Sequence, residues 1–264
     1  MKYKLGKKPA RKDARTIKLK TILKAENLPP LPASYDIDVE YPSFADNNMY
    51  GNDTLGDCVM AGRAHMTLRF EEYEQNLDIP ISDNDVTTEY FKETGGSDSG
   101  LDMLTSLNCW RDGWEAAGEG YSIYAYAAID YTNSTEAEYA IMLLRGAYIG
   151  LQLPNSAMQQ FDANQSWSVV DNDEGTAGGH CVYCMAYDSG GIYCMTWGKR
   201  QYMTWGFFLK YCDEAFAIVQ QKEPFVANSP VDCDALDQLL NEIDSPEPTP
   251  QPAPNPNPSG TTPQ

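Results

Sequence analysis

Asn52-Asp-Thr-Leu-Gly-Asp-Cys58-Val-Met-Ala-Gly62 and, about 120 residues downstream, Gly178-Gly-His180-Cys-Val-Tyr-Cys-Met-Ala-Tyr187 are the stretches whose reading decides the fold. The first sets a cysteine at the opening of a run with helical apolar spacing. The second sets one of the chain's two histidines at the start of a strand-like run. The thiolate, not the thiol, is the nucleophile, and a helix N-terminus and a basic partner both favour it. Either half alone has a plain reading, as a small buried cysteine or a structural histidine. The order and flanks of the two together favour a nucleophile and its base.

The chain has 264 residues, 42% of them hydrophobic, enough for one medium domain or two closely packed lobes. No apolar run is long enough to span a membrane, and no apolar segment or cleavage site of a secretory signal follows the basic N-terminus. Seven cysteines cannot all pair within one chain, so a reduced setting is expected, either a host cytoplasm or a virion. The formal net charge of −19 is unevenly placed. Residues 1–25 hold ten of the nineteen Lys and Arg and one acid, Asp13, which leaves 9 basic and 37 acidic residues elsewhere. Such a body repels phosphates, so nucleic acid is not an expected partner except through residues 1–25. The arm is expected to fold back on the acidic body or to grip a partner protein.

Along the chain, a short helix is expected near Thr16–Ala25, then helices over Val59–Tyr73, from the Ser82 cap to Thr94, over Leu101–Ala116, and from a Thr135–Glu138 capping box to Arg145. The second half changes period. Strands are expected over Ala147–Leu153, Ser166–Val170, Cys181–Tyr187, Gly191–Trp197 and Ala215–Gln220, with a last helix over Asp232–Ile243. Helices followed by strands predict an α+β fold of two lobes, with Cys58 in the helical lobe and His180 in the sheet lobe. The expected divisions are a basic arm (1–28), a main domain (29–225), a C-terminal helix (226–244) and a Pro-rich tail (245–264). The tail has proline at nearly every second position and reads as an extended spacer. Arm and tail are expected to act as tethers to assembly partners, outside the cleft.

In order through Leu31 to Val219, the motifs resemble those of papain-like cysteine peptidases. Leu31-Pro-Ala-Ser-Tyr-Asp-Ile resembles the mature-domain opening, Asn52 to Cys58 the segment ending at the nucleophile, and Gly179-His180 to Asp188 the histidine strand. Met195-Thr-Trp197-Gly198 and Trp205-Gly206-Phe-Phe resemble the Asn-Ser-Trp-Gly segment and the Trp-Gly segment after it. The opening Leu5-Gly-Lys-Lys-Pro-Ala-Arg-Lys-Asp-Ala-Arg-Thr16 also resembles papain-like proteins of bacteriophage or prophage origin. The resemblance implies a papain-like two-lobed fold, with a nucleophile helix packed on an antiparallel sheet. It also implies a peptide or protein substrate and no cofactor or metal. Cys58 would be the nucleophile, His180 the base and Asn52 the oxyanion-hole donor, although Asn is one methylene shorter than the family's Gln. The histidine-orienting asparagine falls on Met195, which has no useful acceptor. Thr196 beside it is expected to point to the other face of the strand. Trp197 would shield the histidine, and the charge of Asp57 would oppose the thiolate.

Other candidates read as structure. His65 lies seven residues after Cys58, roughly 10 Å along a helix and too far to be its base. Cys181 and Cys184 face opposite sides of a strand and, with Cys194, read as core. Asp171-Asn-Asp-Glu-Gly175 resembles a piece of a calcium loop without the later ligands and reads as a solvated loop. Tyr121–Tyr131 reads as lobe packing. Two functions fit: a Cys–His hydrolase acting through an acyl-enzyme, or a weak or inactive papain-like module serving as a virion structural or attachment protein. An amidase cutting peptidoglycan shares the same Cys-then-His order.

Overall fold

The structure is a computed structural model that describes residues 3–40, 46–173, 175–221 and 229–244. The Pro-rich tail over 245–264 and the boundary placed at 225/226 lie outside the described residues.

The first half is helical because its apolar residues recur at helical spacing between good caps. Helix α1 (Cys58–Gln75) buries Val59, Met66, Phe70 and Tyr73 and ends at Asn76, a left-handed residue. Helix α2 (Asp83–Glu93) begins in a capping box, with Ser82 and Asp85 satisfying each other's backbone N–H groups. Helix α3 (Met103–Asp112) is capped by Asp102 and stops at Gly113, whose φ of 99° no helix accommodates. The expected helix to Ala116 is therefore too long. Trp114–Ala116 is instead strand β2, paired with Glu119–Tyr121 (β3), and buries Trp114; numbering here counts Tyr35–Asp36 as β1.

The second half supplies the sheet: β4 (Ala125–Ala128), β5 (Ala147–Pro154), β6 (Thr176–Asp188), β7 (Gly191–Thr196), β8 (Lys199–Thr204) and β9 (Cys212–Val219). Their order is β4-β9-β5-β6-β7-β8, all antiparallel, with β1 beside the end of β6. Between them lie helices α4 (Ser134–Leu144), α5 (Asn155–Asp162) and α6 (Trp205–Tyr211), and α7 (Cys233–Asp244) follows. The cap of α4 is Asn133, not the Thr135–Glu138 box. Ser166–Val170 is not a strand; only Trp167 bridges to Met203. Of the main sheet the sequence reading missed the short β1, β4, which lies inside the Tyr121–Tyr131 stretch read as lobe packing, and β8, whose basic start, Lys199-Arg200, hides a paired run.

Strand alternation divides the core. On β6, Cys181, Tyr183 and Met185 pack with α1–α3, while Val182 and Cys184 join α4–α7. Cys181 and Cys184 thus lie on opposite faces. Asp173 accepts the backbone N–H of Ser156 and so caps the start of α5. Among the described residues no three His, Cys, Asp or Glu side chains are placed to hold a metal ion, and no helix is long and apolar enough to cross a membrane.

His65 belongs to a buried ionic cluster that ties α1 to the segment before it. Its Nδ1 lies 2.7 Å from Asp46 Oδ2, and Arg69 spans Asp46 (2.5 Å) and Asp38 (2.9 Å). Burial alone would raise the Asp46 pKa, but His65 and Arg69 outweigh it and hold the carboxyl far below its usual range. Removing one member strands the others as buried charges. Arg69→Met is expected to destabilise the fold by about 3–5 kcal/mol in urea unfolding. A change within about 0.5 kcal/mol, as at an ordinary surface site, would show that the cluster carries little.

Candidate active site

Helix α1 sets its first residue against β6, and the Cys58 thiol meets the backbone of Cys181. The helix start is pinned by the Tyr148 hydroxyl, which donates to the Val59 carbonyl. His180 sits on β6 opposite Leu151 of β5. Its Nε2 lies 2.7 Å from the Thr196 hydroxyl, and its ring stacks on Trp197 at 4.3 Å with planes 16° apart. Nδ1 is buried and has no hydrogen-bond partner among the described residues, so Cys58 and His180 share no hydrogen bond in this state.

A strand of the chain itself occupies the space over the thiol. The Lys7 N–H donates to the Gly179 carbonyl at 3.1 Å, and the Leu101 N–H donates to the Gly6 carbonyl at 3.0 Å. The Lys8 N–H donates to Leu101 at 2.8 Å, so the segment bridges the two lobes and runs parallel to Leu101. Gly6 is the tightest point: a Cβ there would lie 1.8 Å from the Gly56 carbonyl oxygen. Tyr3 stacks on Trp197, on the ring that also covers His180. Farther along, Ile17, Leu19 and Ile22 are buried in the core. The arm is therefore part of the cleft and of the fold, which corrects its reading as an external tether. Its charge meets acids of the body, with Lys4 against Asp98 and Lys7 against Asp213 and Glu214.

Two assignments of the resemblance change. Met195 is buried on the α1 side of β7, so alternation turns Thr196, not Met195, toward the histidine. The expectation for Thr196 had the faces reversed. Asn52 commits both amide hydrogens internally, to Asp57 Oδ1 at 3.0 Å and to the Leu55 carbonyl at 3.3 Å. It is too short to reach the cleft while holding that turn. The donor that remains beside the thiol is the Cys58 backbone N–H at the start of α1.

Neither a protein-family model nor a curated protein matches the sequence. Solved structures do match its fold. Xylellain, a cysteine protease from Xylella fastidiosa, aligns with TM-score 0.66 at 15% identity, over 83% of this chain and 97% of its own. ProCathepsin B S9 from Trypanosoma congolense aligns with TM-score 0.60 at 11% identity, over 83% and 87%. The Carica candamarcensis cysteine protease CMS1MS2 aligns with TM-score 0.55 at 13% identity, over 72% and 99%. The fold is papain-like.

In this papain-like fold Cys58 and His180 are both held neutral. Burial pushes the Cys58 thiol up to about 11, with the Asp57 charge acting the same way against backbone hydrogen bonds from Cys181, Gly6 and Lys7. The helix N-terminus does not overcome this, contrary to the activated thiol expected from the sequence. Burial likewise pushes His180 down to about 3. A thiolate–imidazolium pair is therefore disfavoured while the arm is in place. Asp57, the residue before α1, is raised to about 7 by burial, against the hydrogen bond from Asn52. A raised carboxyl pKa stabilises the fold fully below the unfolded value, about 4, and that stability is lost as pH rises through the folded value. Asp57→Asn keeps an acceptor for Asn52 and removes the titration. The variant should match the parent near pH 4 and exceed it at pH 8 by on the order of 4 kcal/mol, from denaturant unfolding across pH. Parallel curves for the two proteins would contradict this.

Proposed function

We propose that the protein is a thiol hydrolase of peptide bonds, held latent by its own residues 5–8. The observation that supports this most is the paired strand in the cleft. A groove whose walls, Gly179 and Leu101, pair with an extended main chain beside a cysteine is built to receive a peptide. Cys58 is the nucleophile and His180 the base. With Nε2–H donated to Thr196, Nδ1 accepts the thiol proton. The thiolate adds to the peptide carbonyl, the Cys58 backbone N–H meets the oxyanion, and the C–N bond breaks as the imidazolium protonates the leaving amine. A water, deprotonated by the same imidazole, then hydrolyses the thioester. Trp197 keeps the ring in plane and the site dry on that side.

The test is to expel the arm without deleting it. Gly6→Val in the full chain places a side chain against the Gly56 carbonyl. This variant should cleave unstructured peptides at least 10-fold faster than the parent, and Cys58→Ser should abolish cleavage. Thr196→Val on that background should lower kcat about 10–100-fold with little change in KM, since it frees the ring without touching the groove. A folded Gly6→Val protein that cleaves no peptide would leave the non-catalytic module as the better reading.

A further inference from the structure

The arm shows what one side of the cleft is built to hold. The Lys7 side chain is wholly buried, with Nζ 2.9 Å from Glu214 Oε1, 3.0 Å from Asp213 Oδ1 and 3.2 Å from the Lys8 carbonyl oxygen. Nζ donates to Asp213 Oδ2 at 3.0 Å and to the Lys8 carbonyl, and Glu214 faces it as an ion-pair partner. The pocket belongs to the body, not to the arm. Glu214 faces Gly150 across the β5–β9 pairing, and a Cβ on Gly150 would lie 2.0 Å from Lys7 Cε. Gln152 Nε2 donates to Asp213 at 2.9 Å and fixes that carboxylate. Glu214 is an acid on a strand whose neighbours Ala215 to Val219 are core, so it would be buried without a partner if the pocket held an apolar side chain.

We infer that Glu214, Asp213 and Gly150 form a specificity pocket that selects a lysine side chain of the substrate near the scissile bond, and that Lys7 occupies it in the latent chain. This rests on the hydrolase reading of the cleft. The same main-chain segment that carries Lys7 into the pocket lies on the Cys58 thiol and pairs with the residue before His180. A peptide that pairs in its place brings a side chain to the same opening. The narrow wall at Gly150 and the two carboxylates at the end suit a linear stem with a compact ammonium. They suit a planar guanidinium less, and an apolar or acidic side chain least.

The probe is a dye-labelled peptide of residues 3–12, with position 7 as Lys, Arg, Leu or Glu. It is titrated by fluorescence anisotropy onto the full chain carrying Gly6→Val and Lys7→Ala. The Lys peptide should bind, with Arg weaker by no more than about 3-fold and Leu at least 10-fold. Glu214→Gln should erase the difference between Lys and Leu. Leu binding as tightly as Lys, or no saturable binding of the Lys peptide to folded protein, overturns the pocket. If that double variant does not fold, the single variants Lys7→Arg and Lys7→Leu are compared by Cys58 alkylation: Leu should speed it at least 10-fold and Arg no more than about 3-fold, and equal rates overturn the pocket. Cleavage of a randomised peptide mixture by the Gly6→Val chain separates the two claims. Cutting with lysine enriched at one position, and the enrichment lost in Glu214→Gln, supports the pocket. Cutting without basic preference overturns the pocket alone. No cutting overturns the hydrolase reading, and the binding series still decides the pocket.

Discussion

The pairing of residues 5–8 between Gly179 and Leu101 sets the state of everything around it. Three backbone hydrogen bonds lay this segment across the boundary of the two lobes, and its backbone at Gly6 and Lys7 lies against the buried Cys58 thiol. The competition at the thiol is between desolvation, which penalises the charged form, and a few backbone donors plus the start of α1, which favour it. Desolvation wins, and burial likewise disfavours the charged imidazole. An ion pair needs both partners charged, so holding the thiol neutral is enough to disfavour it. On the proposed reading no change in Cys58 or His180 is required, only the return of water to the cleft.

The lopsided charge of the chain has its explanation in the same contact. The arm's cations are distributed along the acidic body, but they do not act equally. Lys4 with Asp98 and Arg11 with Asp102 are partly exposed pairs, each worth no more than about 1 kcal/mol. Lys7 is different, since its side chain and that of Glu214 are both shielded from water. Burial by itself would lower the Lys7 pKa, yet Glu214 and Asp213 outweigh it and raise it. Taking one partner away leaves the other buried and uncompensated. That makes Lys7 the electrostatic anchor of the docked arm, and the tight contact at Gly6 the steric one.

Much of this was legible from the residues. The helical spacing of Val59, Met66, Phe70 and Tyr73, the Ser82 cap and the alternation on the histidine strand placed α1, α2 and β6 correctly, because each is a local signal. The end of α3 was misread because Trp114 continues the helical period even though Gly113 breaks the backbone. The identity of the histidine's partner depended on which face of β7 meets β6. Alignment of the tryptophan motif does not carry that information, and so Met195 and Thr196 were exchanged. Asn52 was misassigned because reach alone was considered; the nearby carboxylate of Asp57 competes for its amide. The arm was read from its charge, which suggests a solvated tether, whereas the informative features were Gly6 among lysines and the Gly178-Gly179 pair, both of which let main chains approach closely. Glu214 had its own signal, an acid among residues that alternate as core.

The central claim is that the arm, rather than the intrinsic character of Cys58 and His180, holds the thiol protonated. The most direct measurement is the pH dependence of Cys58 alkylation by iodoacetamide, followed site by site by mass spectrometry on folded parent and Gly6→Val chains. The account predicts a parent titration near the value of about 11 that burial imposes, and a midpoint below about 8 once the arm is expelled, as for a thiol at a helix N-terminus beside an imidazole. Coincident profiles for the two chains would contradict it.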